Sequence, residues 1–380
     1  MMYDAAFPAA VREDFPVFER RFEGRPLALF DGPAGSQVPR QVVDAVAGYL
    51  GYHNSNIVGH FPTAVETEAI IRHARQAMAD FLNAPSWEEV VFGQNMTTLT
   101  FALSRAMGRE WGPGDEVVVT ELDHQANVAP WRAAAEDRGA VVRVVPFDRT
   151  TLQLDYAALE AALGERTRLV AVGYASNAVG TVNDVRRVVE MARGVGAQVF
   201  VDAVHFAPHG LIDVEALECD FLACSSYKFF GPHMGILWGK RDLLDRYRPY
   251  KVPPSPDASP DRWETGTLSH EGISGICAAV EWIAGLSPEI PNRRAALAAS
   301  MERIGRHESA LFARLVDEME SIPGVRIYGP PRGTARTPTL AFRLEGYHPD
   351  AVARRLAEQG VCVWSGDFYA STVIGGLGLA

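Results

Sequence analysis

The sequence predicts an α/β fold: a large part built on a mostly parallel seven-stranded sheet, followed by a smaller α+β part. Three observations lead there. From about Phe81 to Trp238, short apolar runs alternate with amphipathic stretches. The apolar runs are near-continuous, as strands covered on both faces must be. After the Pro-rich stretch VPPSPDAS (252–259), the pattern changes to long helices and short strands.

In chain order the strands read as EEVVFG (88–93), EVVVT (116–120), VVRVVPF (141–147), RLVAVGYAS (168–176), QVFVDAV (198–204), DFLACSSY (220–227) and GILWG (235–239). Each is rich in β-branched or aromatic residues and bounded by turn formers. Helical stretches at 97–107, 129–138, 156–163 and 185–195 separate most of them. Beyond the loop, helices are expected at 275–285, 293–322 and 349–359, with short strands in VRIYG, TLAFRL and VCVWS. The expected organisation is an N-terminal arm over 1–25, a large domain over 26–258 and a small domain over 259–380. Because the chain stops at GGLGLA, the small domain is expected to lack its final strand and helix.

Composition narrows the function. The chain has 380 residues, 47% hydrophobic and 22% charged, with a net charge of −11. This is a globular balance, and the acidity argues against nucleic-acid or anionic-membrane partners, which need basic surfaces. No run of about 18 apolar residues occurs. The opening MMYDAAFPAAVREDFPVFERRF lacks the apolar core of a secretory signal. Cys219, Cys224, Cys277 and Cys362 show no C-x-x-C spacing, so free thiols in a reducing cytoplasm are expected and no metal site is.

Only Lys228, Lys240 and Lys251 are lysines, so lysine-based covalent catalysis has three candidates. Lys228 lies between the apolar DFLACSSY and the turn FFGPHMG, an unusual place for a residue that normally seeks water. By position alone it reads equally well as a surface lysine on a loop. Lys240 opens a helix with Arg241, and Lys251 sits beside the Pro-rich loop. Asp202 ends QVFVD, where a carboxylate is costly to bury without a cationic partner; the alternative is an ordinary helix cap. His124, after EVVVT, offers a ring for stacking or is a loop histidine. Thr97, after Met96, opens a helix and marks an anion site or a plain N-terminus. Asn177 in SNAVGT, His205, and the hydroxyls of Ser225 and Tyr227 complete the set at strand ends.

This ordered set is what a pyridoxal 5'-phosphate (PLP) site requires. A lysine forms the imine, a carboxylate keeps the pyridine nitrogen protonated, a ring stacks on the pyridine, and hydroxyls with a helix N-terminus hold the phosphate.

The segments LFDGPAGSQVP, VVFGQNMTTLT, DHQANVAPW, SNAVGT, VDAVHFAPH, SSYKFFGPHMGILWG and RWETGTLS carry a further signal. From about Leu29 onward the chain resembles the class V aminotransferase family, PLP-dependent transferases of fold type I, and within it the cysteine desulfurases. The resemblance implies a Schiff base on Lys228, Asp202 at the pyridinium, and His124 stacked on the ring and moving protons. It implies Asn177 and His205 at the phenolic oxygen, with His205 standing where the family usually carries Gln. Met96, Thr97, Ser225 and Tyr227 match the phosphate side, the last often His in the family. Gly266 and Thr267 match a segment reaching the neighbouring subunit's phosphate, which implies a homodimer with shared sites. Ala34, Gly35 and His60 match the substrate-side wall.

Two departures stand out. Where a desulfurase carries its nucleophilic cysteine, GVCVWSGDFYAS places Tyr369, and Cys362 lies in the preceding strand, where it reads as a core thiol. The family's substrate-carboxylate arginine comes after the point where this sequence stops, and no Arg follows Arg355. The expected activity is cysteine-desulfurase-like, on cysteine or an S-substituted cysteine, with a possible sulfur acceptor as partner. A C–S lyase or β-eliminase needs no acceptor thiol and stands close behind. An aminotransferase or epimerase is third, and a catalytically silent PLP-fold regulator is the alternative of another class.

Overall fold

The computed structural model describes residues 6–379. Seven strands form one sheet: β1 (Val90–Gly93), β2 (Glu116–Thr120), β3 (Val141–Val145), β4 (Thr167–Gly173), β5 (Gln198–Asp202), β6 (Phe221–Ser225) and β7 (Gly235–Gly239). Their spatial order is β1-β7-β6-β5-β4-β2-β3. Pairs β3–β2, β2–β4, β4–β5 and β5–β6 are parallel, and β7 alone runs antiparallel to both its neighbours. The α/β class with a mostly parallel seven-stranded sheet is thus present.

Side chains alternate between the two faces of a strand, and here both faces are buried. Val118, Val170, Val172, Val199, Val201, Leu222 and Cys224 enter one core, whereas Val117, Val119, Leu169, Ala171, Phe200, Phe221 and Ala223 enter a second. That two-sided burial explains the near-continuous apolar runs. Covering helices start on carboxylate caps: Asp155, Asp184 and Asp213 accept from the N–H of Ala158, Arg187 and Ala216.

Several boundaries differ from the sequence expectation, each with a local cause. The run EEVVFG becomes strand only at Val90, because Trp87–Glu89 form a 3-10 turn and Glu89 accepts from Trp238 Nε1 at 3.0 Å. The first long helix beyond the Pro-rich loop begins at His270 rather than 275. Gly272 and Gly275 weaken its helical signature, yet both fit close packing: an added Cβ would meet Met234 at 2.9 Å and Val46 at 2.8 Å. Ser269 caps this helix. In VCVWS only Val361–Cys362 is strand. It pairs in parallel with Ala28–Leu29, not with the hairpin of Val325–Tyr328 and Ala341–Leu344. A short helix, Ser371–Gly376, follows.

Candidate active site

Thr120, Gly173, Asp202 and Ser225 are the last residues of β2, β4, β5 and β6. Because these strands are parallel, their carboxyl ends share one edge, the place where open α/β sheets hold ligands. Lys228, His124 and Asn177 lie in the turns that follow.

Lys228 closes the 3-10 turn Ser226–Lys228 and is buried. Its Nζ donates to the backbone oxygen of Pro33. Ser36 fastens the two turns together: its N and Oγ donate to the oxygen of Tyr227 at 2.9 and 3.0 Å, and its Oγ accepts from Phe230 N at 2.7 Å. Gly35 is required by this approach, since a Cβ there would lie 3.0 Å from the Tyr227 ring. Burial lowers the Lys228 amine to about 8, against the opposing pull of the Asp202 charge. The structure therefore brings Ala34 and Gly35 to Lys228.

Asp202 is also buried, and burial raises its carboxyl to about 6, opposed by the bond from Val204 N (2.9 Å) and by Lys228. The lysine and the carboxylate feel each other's charge, as neighbours on one edge do.

His124 Nδ1 accepts from Ala126 N at 3.0 Å. Burial first, then Lys228, lowers the imidazole to about 4, so it is neutral at ordinary pH. Tyr369 stands beside it with ring centroids 5.4 Å apart. Two bonds hold the Tyr369 loop on the edge: Gln125 N to Tyr369 O at 2.8 Å, and Asn177 Nδ2 to Phe368 O at 3.0 Å. The other end of that amide, Asn177 Oδ1, is buried without a partner.

The helix Met96–Met107 points its N-terminus at the same edge. Asn95 caps it by accepting from Thr98 N, and Met96 N donates to Ser225 Oγ at 3.1 Å. Gly235 permits the close packing, as a Cβ there would sit 2.3 Å from the Asn95 carbonyl carbon. Thr97 is half-buried in the first turn, and the Tyr227 ring stacks on His233 at 5.0 Å.

Other residues lie differently. His205 is buried, with Nε2 engaged by Thr339 Oγ1 at 2.7 Å and Thr337 Oγ1 at 3.2 Å. Gly266 and Thr267 are exposed. They follow Glu264, which a buried bidentate pair ties to Arg75 (2.9 and 2.6 Å) and which accepts from Phe92 N on β1 at 2.8 Å. His60 is exposed, and among the described residues no hydrogen bond or ring contact joins it to Lys228 or Asp202. Cys219 and Cys224 are buried, and burial raises both thiols far above the ordinary value. Cys362 sits half-buried in its short strand.

Sequence reasoning missed Asp123, which is buried under the edge beside His124. Its only signal was a carboxylate next to a singled-out histidine.

These residues fit PLP on the structure's own terms. A desolvated lysine, a buried carboxylate with no bonded cation, an unpartnered buried amide end and a helix N-terminus all meet at one edge.

The comparisons agree. A family model, aminotransferase class-V, matches residues 28–378. A cysteine desulfurase of Enterobacter sp. (strain 638) is 35% identical over 95% of this chain and 89% of its own length. A cysteine desulfurase of Synechococcus elongatus is 34% identical over 97% of this chain, which spans 59% of that relative. Among solved structures, cysteine desulfurase from Thermococcus onnurineus NA1 superposes with a TM-score of 0.86 at 27% identity, covering 100% of this chain and 92% of that one. The cysteine desulfurase CsdA from Escherichia coli gives 0.85 at 27% identity, covering 98% and 91%.

Fold and matches together define the class of the molecule, a PLP-dependent enzyme. The chain belongs to the class V aminotransferase family.

Proposed function

We propose that the protein cleaves the C–S bond of a small amino acid, cysteine or an S-substituted cysteine, in the manner of a cysteine desulfurase, with Lys228 as the covalent attachment point for PLP. The observation that carries this reading is the buried pair at the sheet edge: Lys228, lowered to about 8, beside Asp202 on the adjacent strand. An amine that low is partly neutral near pH 7 and therefore nucleophilic. The relatives named cysteine desulfurase support the choice of chemistry.

PLP supplies an electron sink for charge developing at the substrate Cα. Asp202 would hold the ring nitrogen protonated. Lys228 would carry the Cα proton as general base. His124, neutral and adjacent, would stack on the ring and exchange a proton through the nitrogen not engaged by Ala126 N–H. Met96, Thr97, Ser225 and Tyr227 would hold the phosphate, with Asn177 and His205 on the phenolic-oxygen side. Ala34, Gly35, His60 and Tyr369 would wall the substrate.

A second reading has its own observation. The side chain standing beside His124 is Tyr369, a phenol, which cannot hold sulfur as a persulfide. This favours β-elimination, in which the thiol leaves from Cβ without an acceptor. Products from cysteine decide between them: alanine with protein-bound persulfide supports desulfuration, and pyruvate with sulfide supports elimination. Neither product from cysteine or S-alkylcysteines would sink both.

A cytoplasmic homodimer completes the proposal. The exposed apolar side chains Leu50, Tyr52, Ile57, Val58, Phe61 and Val65 support a partner surface, and the exposed Gly266–Thr267 segment supports a shared site. No described helix is long and apolar enough to cross a membrane.

A further inference from the structure

Asp123 is only 3% exposed, and its carboxyl bonds the ends of two strands of the edge. Its Oδ2 meets Thr120 Oγ1 at 2.9 Å, at the end of β2. Its Oδ1 accepts from the N–H of Gly173 at 2.5 Å, at the end of β4. Gly173 is the residue directly opposite Asp202 in the β4–β5 register. The fit depends on glycine, because a Cβ at 173 would lie 2.3 Å from Asp123 Oδ1. The next residue, Tyr174, donates its N–H to the oxygen of Asp202 at 2.8 Å. Asn183 Nδ2 holds the oxygen of Gly173 from the other side at 2.7 Å. Asp123 thus fixes the backbone against which Asp202 is aligned, and the next residue along is His124.

Two buried carboxyl groups at one sheet edge, one feeling the other's charge, cannot both be ionised cheaply, so one of them keeps its proton. Asp202 has the cation Lys228 nearby, whereas the groups that bond Asp123 are all neutral. The charge therefore belongs on Asp202. We propose that Asp123 is a positioning residue for Asp202: a protonated acid that clamps Gly173 and leaves Asp202 the single anion facing the cofactor's ring nitrogen. The direction of titration agrees, with burial and then the Asp202 charge holding the proton on Asp123.

The proposal rests on the reading that Asp202 faces the pyridine, and the test separates the two. Wild type, Asp202→Asn, Asp123→Ala, Asp123→Asn and Gly173→Ala are prepared as full-length protein loaded with PLP. Each is measured for cofactor retention on dialysis and for the visible absorption and circular dichroism of the bound cofactor across pH. Asp123→Ala is expected to weaken retention about tenfold and to reduce the dichroism. Asp123→Asn, which can accept from Gly173 and donate to Thr120, is expected to restore both to near wild type. If Asp123→Ala matches wild type, the positioning role is overturned. If Asp123→Asn moves the absorption midpoint as far as Asp202→Asn does, Asp123 carries charge and the proposal is overturned. If Asp123→Ala fails to fold, Gly173→Ala displaces the same carboxyl from the opposite side and must show the same loss, or the proposal is overturned. Should Asp202→Asn itself leave the absorption unchanged, the pyridine reading falls, and this inference with it.

Discussion

The Nε2 atom of His205 lies 2.7 Å from Oγ1 of Thr339, which joins the turn after β5 to the segment leading into the strand Ala341–Leu344. Both side chains are buried, and burial holds the imidazole well below its usual range, hence neutral. Thr339→Val removes one partner and leaves the other, Thr337, at 3.2 Å. A loss of about 1–2 kcal/mol in unfolding free energy is expected, measured by urea titration. No loss would mean that the Thr339 bond contributes nothing to joining these segments.

Lys228 predicts a pH profile for cofactor loading. Its amine sits at about 8, so the neutral, reactive form grows as pH rises and levels off above that value. The rate at which apoprotein develops visible absorption with PLP is expected to rise between pH 6 and 8 by roughly tenfold per unit at first, then to plateau. Lys228→Ala should give no such covalent signal and no adduct on borohydride reduction.

Asp123 predicts a stability profile of defined sign. Its folded-state value, about 8, lies above the ordinary 3.8. A raised acid contributes stability that is fully present below about 4 and is lost as pH rises through about 8. Asp123→Asn does not titrate. Its unfolding free energy, relative to wild type, should therefore climb from pH 4 to 8 and then level off. Parallel curves in denaturant titrations across that window would contradict a buried, proton-bearing Asp123.

The Arg75–Glu264 pair, with side chains 4% and 6% exposed, is tightly bonded on both sides. Glu264→Gln leaves the buried guanidinium with only the longer, solvent-exposed contact to Asp261 at 3.6 Å as counter-charge, and a cost of about 3 kcal/mol is expected. Hydrogen exchange should quicken around Gly266 and Thr267, the segment this pair anchors. Unchanged exchange there would disconnect the pair from the loop.

Tyr369→Cys places a thiol beside His124. If the phenol directs the reaction away from desulfuration, the variant should raise the ratio of alanine to pyruvate from cysteine and carry an alkylatable persulfide. An unchanged ratio would remove Tyr369 as the determinant of outcome.

Much of the edge was legible because strand ends are legible. Lys228, Asp202 and His124 each follow a run of buried β-formers, and a polar group just past such a run lies at the carboxyl edge. Asp123 follows the same rule, but its meaning depends on Gly173, fifty positions away and opposite Asp202 only once β2, β4 and β5 are paired. Glu264 is similar: within RWETGTLS nothing marks it as the partner of Arg75, which lies on a helix 189 positions earlier. His205 stands within a motif beside Asp202, but the partners that hold its Nε2 come from 337 and 339, outside any motif. The start of the His270–Ala284 helix was hidden by glycines whose purpose is close packing rather than chain reversal.

The two-residue pairing of Ala28–Leu29 with Val361–Cys362 also has a temporal meaning. Beside it, Arg25 bonds Gln359 across 334 positions. A ribosome must deliver the long intervening stretch before Ala28–Leu29 meets its partner, and contacts of such separation form slowly. The Ala34–Gly35 turn that receives Lys228 begins only a few residues beyond that strand. Lys228 can reach the oxygen of Pro33 well before the Tyr369 loop has been made, so a nascent chain would expose a half-walled lysine to free aldehydes until that loop follows.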